Sequence, residues 1–463
     1  MDHPDIVSLI CNYLNDYDKF SYLSITKFHT TFKEKMWFNE RIHLYRIYGN
    51  KYFNRFTNVI ICTKIKKCVD ENGKLIACRR IKFPSGIKKI ELLNKISLPI
   101  LPEGLTHFHS NLYYMPDLPQ SITHLDLESI WEREFIKTFS DDSKQFNNLK
   151  ILNIHCIYDE TQNKPIELPK GLTHLSCPSR KNYFKTPLKI DKLQYLSTYD
   201  SPNPSWRIPS MRVYDDYYGL QIGLKKLHLY YYNPTKISDS LSYLINLDVL
   251  RIHSLQGTIN NDYMPPNITH FVLEDASRSN IKILPQSITN LSVTNLSKHD
   301  TLLLPNLTHF KIKCDMIGYD INHARIETTE KNFENVISPN LFFLNIDDAV
   351  IPPNIPLSVR HLKMGKYFNS PIKSLIPNFI THLSFSNNFN KSIRHNIPLS
   401  ITHLSFGNGF FQKNLGRDLP QTITHLELSP RCYTLNKDAL RNRGLSITIK
   451  HVYGKDPFCM DKY

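Results

Sequence analysis

The sequence predicts a small all-α module followed by a solenoid with a parallel β-sheet, its convex side built mostly from loop and turn. Three observations predict it. A phrase recurs about every twenty residues, its apolar positions alternate with polar ones, and helical apolar spacing is confined to the start of the chain. The phrase is a Pro, a short spacer, an aliphatic residue, usually Thr-His, then Leu or Phe and one more apolar residue. Its ten copies begin at Leu101, Leu118, Leu168, Met264, Leu284, Leu304, Ile355, Ile376, Ile397 and Leu419. A unit this short has one apolar face and buries it only by stacking on its neighbours, so the repeat implies a solenoid.

The first element is helical. Pro4 can open a helix whose Ile6, Val7, Ile10, Tyr13 and Leu14 share one stripe. Asp16 and Asp18 break it and can cap a second helix carrying Phe20 and Leu23. A third, Thr26 to Trp37, presents Phe28, Phe32, Met36 and Trp37. Three short helices cannot bury all this apolar surface among themselves, so part of it must meet a partner or the solenoid. The module is assigned to residues 1–48.

Residues 49–86 are basic. Between Lys51 and Lys89 stand eleven Lys or Arg and only Asp70 and Glu71, a net +9 of the chain's +15. The window reads as two strands joined at Asn72-Gly73, a hairpin signal. It could offer a platform to nucleic acid or an acidic partner. The competing account, a solvated hairpin capping the end of the solenoid, is favoured because no recognition motif accompanies the charge.

From 87 to 450 the repeat governs. Beneath the phrase lies a simpler pattern of apolar, two variable, apolar, one variable, apolar, which recurs at Leu149, Leu224, Leu247 and Leu341 and more loosely at Ile87 and Leu193. Each row supplies one short strand, and Leu362, Leu383, Leu404 and Leu426 should form one continuous apolar file. The Pro always precedes the strand, where it costs no ladder hydrogen bond. Ser201 to Tyr218 reads as a loop, Tyr319 to Val336 as an inserted helix, and 451–463 as a tail.

Candidate chemistry is sparse. Nine phrases carry His at one place, His107, His124, His174, His270, His309, His361, His382, His403 and His425. Strands about 4.8 Å apart would stack these rings into a ladder. Metal binding is the weaker account of it, because Asn290 takes one rung and no carboxylate stands at fixed spacing. The nine Cys have no metal-pair spacing, and there is no Gly-rich phosphate loop, nucleophile elbow or HExxH. The expectation is therefore no enzyme, no cofactor and no metal. No signal-like or membrane-spanning run is present in the sequence, and the scattered odd Cys suit a reducing, intracellular compartment, cytoplasmic or nuclear. Partner specificity is expected on the outward positions of the strands, with Asp126 and Glu128 in early rows, Lys311, Lys313 and Lys363 in middle ones, and Glu427 late.

The segment from His3 to Phe38 resembles an F-box, the three-helix module that docks on Skp-type adaptors of cullin-RING ubiquitin ligases. Pro4, Ile10, Leu14, Phe20, Leu23 and Trp37 fall where that family's Pro, Ile/Leu, Leu and Trp stand, and the resemblance implies that they bind the adaptor. His3 and Ile6 depart from the family's usual Leu and acidic residue. The repeats resemble the FNIP repeat, a leucine-rich-repeat relative of social amoebae and of giant viruses that infect amoebae. Phe368-Asn369-Ser370-Pro371-Ile372, Phe389-Asn390 and Phe410-Phe411-Gln412 carry this likeness. Together they imply the substrate receptor of an SCF-like ubiquitin ligase, acting in the host cell if the chain is viral, with the repeats holding an unknown protein substrate. A plain protein-binding scaffold and a nucleic-acid binder working through the basic hairpin are the alternatives.

Overall fold

A computed structural model describes residues 3–62, 82–93, 100–113, 115–139, 146–158, 168–178, 190–199, 222–232, 240–281, 283–294, 302–313, 336–347, 355–365, 368–373, 375–441 and 443–449. The Asn72-Gly73 turn, the loop 201–218, most of the stretch 319–336 and the tail 451–463 lie outside the described residues. The chain divides into two compact units, Met1–Lys226 and Leu227–Tyr463.

The first unit opens with helices α1 (Pro4–Tyr13), α2 (Asp16–Tyr22) and α3 (Lys27–Phe32). Each start is capped by a side chain: His3 accepts from the Asp5 N–H, Asn15 from Asp18 and Thr26 from His29. Val7, Cys11, Leu23 and Phe32 form the helical core, with Tyr22 and Met36 against it. The third helix is shorter than expected. It ends at Phe32, and Met36 and Trp37 lie beyond the turn that follows it.

The parallel sheet starts ahead of residue 87. Strand β1 (Ile42–His43) pairs with β2 (Asn58–Ile61), and β2 with β3 (Lys89–Leu92). These rows lack the Pro and Thr-His signature but keep buried Val59 and Ile61 facing the core. Asn58–Ile61 thus belongs to the sheet, which corrects its assignment to the hairpin segment 49–86. The expected all-α segment 1–48 likewise ends in β1 and a short helix, α4 (Leu44–Ile47). Phe20 stacks on Phe38 at 4.4 Å, and Phe38 on Phe56 at 5.1 Å, fastening the helices to the first row.

The sheet continues through β4 (His107–Ser110) and β5 (His124–Leu127). A side pair, β6 (Ile130–Trp131) with β8 (Ile157–Tyr158), flanks helix α5 (Glu132–Phe139) and β7 (Ile151–Ile154). Strands β9 (His174–Pro178) and β10 (Tyr195–Tyr199) complete it, every main-sheet pairing being parallel. Register aligns Val59, Ile90, Phe108, Leu125, Leu152, Leu175 and Leu196 in one buried file.

The second unit repeats the scheme from Val249–Ile259 to Ser446–Ile449. Leu362, Leu383, Leu404 and Leu426 lie in register and are buried, as the spacing requires. The repeated Pro closes a turn: its carbonyl accepts the N–H of the aliphatic residue three positions on, as from Pro377 to Ile380 at 3.2 Å and Pro398 to Ile401 at 3.1 Å. The Thr N–H then donates to the carbonyl of the preceding row's Thr, as from Thr402 to Thr381 at 2.9 Å.

Behind the sheet of this unit Phe368, Phe385, Phe389, Phe406 and Phe410 stack in a buried spine. Beside it, Asn side chains join successive coils. Asn369 accepts from the Asn390 N–H at 3.0 Å, Asn390 from Phe411 at 3.3 Å, and Asn436 from Leu415 at 3.0 Å. Asn436 lies on a helix, Pro430–Leu440, that covers the last of these coils and that the repeat pattern did not foretell. Its signal is local, a Ser429 cap followed by Pro at the first helical position.

Candidate protein-interaction surface

Alternation along strands such as His107–Ser110, His124–Leu127 and His361–Met364 leaves every second side chain outward and half-buried, while its neighbours are buried. In the first unit these outward residues line a depression of about 270 Å³ that includes Lys89, Glu91, His107, His109, His124 and Asp126. Asp126 is the hub. It lies 3.4 Å from Nδ1 of His109 and 3.1 Å from Nε2 of His155, and Glu128 lies 3.4 Å from Nε2 of His109. Burial alone would push the Asp126 carboxyl up, but the hydrogen bonds from His109 and His155 outweigh it and hold the group below the usual carboxylate range. The hydrogen bonds to Asp126 in turn raise both imidazoles, against the opposing effect of burial. Glu91 pairs with Arg41. The early outward surface thus joins carboxylates to imidazoles and a guanidinium in a shared network.

In the second unit a comparable triad stands on the first strands. Glu274 accepts from Arg251 Nε at 2.8 Å and lies 2.5 Å from His253 Nδ1. The hydrogen bond with His253, opposed by burial and aided by Arg251, lowers Glu274 to about 2. Tyr230 stacks on His253 with centroids 4.5 Å apart. Further along, register places Ser292, Lys311, Asn345, Lys363, Ser384, Ser405 and Glu427 in a single outward file. Lys311 and Lys363 stand two rungs apart with buried Asn345 between them, and Lys313 is in register with Asp347. Ser405 donates to Glu427 at 2.8 Å.

The His ladder forms wherever phrases are adjacent. Ring centroids are 3.9 Å apart for His107 and His124, and 3.7, 4.0 and 4.1 Å along His361, His382, His403 and His425. Except at His361, which follows Arg360, Nδ1 contacts the hydroxyl of the preceding Thr, as for Thr381 and His382 at 2.9 Å. At the exceptional rung Thr289 donates to the Asn290 amide oxygen at 2.8 Å, so Asn reproduces the contact. Burial pushes the imidazoles of His107, His124, His174, His309, His361, His382 and His403 down, to about 4 for His107 and His382. Among the described residues no group of three or more His, Cys, Asp or Glu is placed to hold a metal ion, and Cys11, Cys62, Cys156, Cys177 and Cys432 are buried.

The helices present a different surface. Of the residues expected to contact an adaptor, Pro4 is exposed, Ile10 and Leu14 are half-buried, and Phe20 is half-buried on Phe38. Trp37 is 45% exposed, with the Arg55 guanidinium 5.0 Å over its ring. Leu23 is wholly buried in the helical core and is corrected from contact residue to packing residue. Besides Trp37, the exposed apolar side chains of the helical segment are Ile6, Leu9, Tyr13, Tyr17, Ile25 and Phe28. Ile6, Leu9 and Tyr13 share a face of α1 by their i, i+3, i+7 spacing, a signal that the sequence carried but that was read as one broad stripe.

Residues 368–409 match the family model of the FNIP repeat, the segment that holds the first two Phe-Asn pairs and their spine. Among solved structures the chain is similar to one titled the crystal structure of CroV588, a novel circular LRR protein. Identity there is 18%, covering 86% of this chain and 60% of that chain, with a TM-score of 0.36. It is also similar to YopM from Yersinia enterocolitica WA-314, at 16% identity over 76% of this chain and 75% of that one, with a TM-score of 0.25. The chain thus spans about 60% of the length of the CroV588 chain. No curated protein matches it. The matched segment lies within the stacked parallel rows and identifies FNIP repeats among them. No helix among the described residues is long and apolar enough to cross a membrane.

Proposed function

We infer that this chain is a non-catalytic protein-binding scaffold, and that it serves as the substrate receptor of an SCF-like ubiquitin ligase. The observation that carries the reading is the pairing of two unlike surfaces in one chain. One is the apolar face of Ile6, Leu9, Tyr13 and Tyr17 on a helical module too small to hide it. The other is a parallel sheet whose framework is constant while its outward residues change from row to row. The likeness of residues 3–38 to an F-box supplies the adaptor, and the FNIP repeats supply the substrate surface. Ubiquitin transfer then belongs to partner subunits, and this chain contributes proximity. The cellular site of action is intracellular, cytoplasmic or nuclear.

Affinity capture of the full chain from an amoebal lysate, probed for a Skp-type adaptor and a cullin, tests the reading. Leu9→Asp, at a position 57% exposed, should abolish adaptor capture and leave the repeats folded. Reversing Lys311 and Lys363 to Glu should lose substrates and keep the adaptor. Adaptor capture that is absent in the wild type, or unchanged in Leu9→Asp, leaves a plain protein-binding scaffold as the function.

A further inference from the structure

We propose that the unbroken imidazole run His361, His382, His403 and His425 is an acid-operated catch on the last coils of the second unit. Protons entering it separate the stacked rungs, and the coils from Leu362 to Leu428 open together.

The geometry is specific to this run. Elsewhere the ladder is interrupted, by Ile151 between His124 and His174 in the first unit, and by Asn290 and Phe343 in the second. Among the described residues only here do four imidazoles follow one another, with centroids 3.7, 4.0 and 4.1 Å apart and planes 19°, 14° and 6° from parallel. Neutral rings stack at this distance, whereas adjacent imidazolium ions repel, most strongly at the half-buried His361 and His382. The strands fix the spacing, because His and Leu of each row are hydrogen-bonded in register to the next. Relief of the repulsion therefore requires the rows to part.

Several charged or polar groups stand around the run. Lys363 shares the outward face of the His361 strand. Arg360 turns its guanidinium to the carbonyls of Leu357 and Val359. Glu427 shares the His425 strand and accepts from Ser405. His309 acts on His361 from beyond Phe343 as a further like charge. Ser384 and Ser405 occupy the remaining outward positions.

The sign follows from linkage. Burial, together with the neighbouring imidazoles, lowers His361, His382 and His403 below the ordinary 6.5, His382 to about 4. Groups depressed in the folded chain bind more protons once it opens. Stability is complete above pH 6.5 and falls as acid carries the solution toward pH 4.

The test uses the full chain. Stability is measured against pH between 6.5 and 4 for the wild type and for His382→Asn/His403→Asn, Asn being the residue that already serves at Asn290. The double variant should take up roughly two fewer protons on opening, read as a shallower slope of stability against pH. Independently of any variant, hydrogen exchange followed by mass spectrometry on the wild type should show segments holding Leu383 and Leu404 losing protection at a higher pH than those holding Leu125 and Leu152. Equal slopes, or simultaneous loss of protection in both segments, would overturn the proposal.

Discussion

Phe389→Ala probes the packing that the FNIP segment contributes. Phe389 is fully buried, with ring centroids 4.0 Å from Phe385, 5.7 Å from Phe368, 5.9 Å from Phe410 and 6.5 Å from Phe406. Truncation removes the middle ring of the spine, and a buried Phe→Ala change costs about 3–5 kcal/mol, depending on how far the cavity collapses. Collapse is restricted here. Asn390, the next residue, is held by Asn369 and in turn holds Phe411 and Gln412. The cost should fall in the upper half of that range. In a repeat array such a loss is felt by neighbouring coils before distant ones. All three Trp, Trp37, Trp131 and Trp206, lie in the first unit, so their fluorescence reports on that unit while far-UV circular dichroism reports on both. Urea unfolding of the variant should move the dichroism transition to lower denaturant and leave the Trp transition in place. Leu399→Ala, at a position 74% exposed, should change stability by less than about 0.5 kcal/mol and serves as the control. A loss below about 1 kcal/mol in Phe389→Ala, or equal shifts of both signals, would refute the spine as the stabilising element of these coils.

Gly409→Ala should destabilise the same region by about 1–3 kcal/mol, since a Cβ there would lie 1.8 Å from the Asn387 carbonyl oxygen; thermal melts of the variant check it. Ser429→Ala should cost about 1 kcal/mol by removing the cap that accepts the Cys432 N–H, measurable in the same melts. Asp126→Asn should return His109 and His155 toward 6.5 in an NMR titration. In the wild type the histidine contribution is full below pH 6.5 and is lost as pH rises through their elevated values, while the aspartate contribution is present above 3.8 and is lost on acidification. The stability difference should therefore peak between those limits and, with these side chains partly exposed, stay near 1 kcal/mol.

The rows were legible because the same side chain must fill the same place in each coil, and a repeated demand writes a repeated residue. Leu362, Leu383, Leu404 and Leu426 fell into register on that ground alone. The first rows were missed because β1 and β2 keep the apolar positions and omit Pro and Thr-His, so only their pairing with β3 reveals them. On the helices, amphipathic spacing told which residues are apolar but not which stripe turns inward. Leu23 went to the core and Ile6 to solvent because α2 and α3 pack across α1, a tertiary choice. Asp126 was legible as an outward residue. Its partner His155 was not, since it lies just past the end of the next strand, where no fixed spacing marks it.

The two kinds of histidine in this chain follow from position within the strand. A residue at the first strand position meets, above and below, the first position of adjacent coils, which the repeat makes His again. Such a ring has like neighbours, no carboxylate at the same rung and a Thr hydroxyl at Nδ1, so it stays neutral. His109 stands two residues further along its strand, where the repeat imposes nothing, and the adjacent coil places Asp126 beside it. His155, after its strand, meets the same carboxylate. The framework positions therefore mostly carry His or an uncharged stand-in such as Ile151, Asn290 or Phe343, and the free positions beside them carry the charges that differ from coil to coil. A ligand that reads this sheet must be told apart by the second set, because the first is alike wherever the phrase recurs.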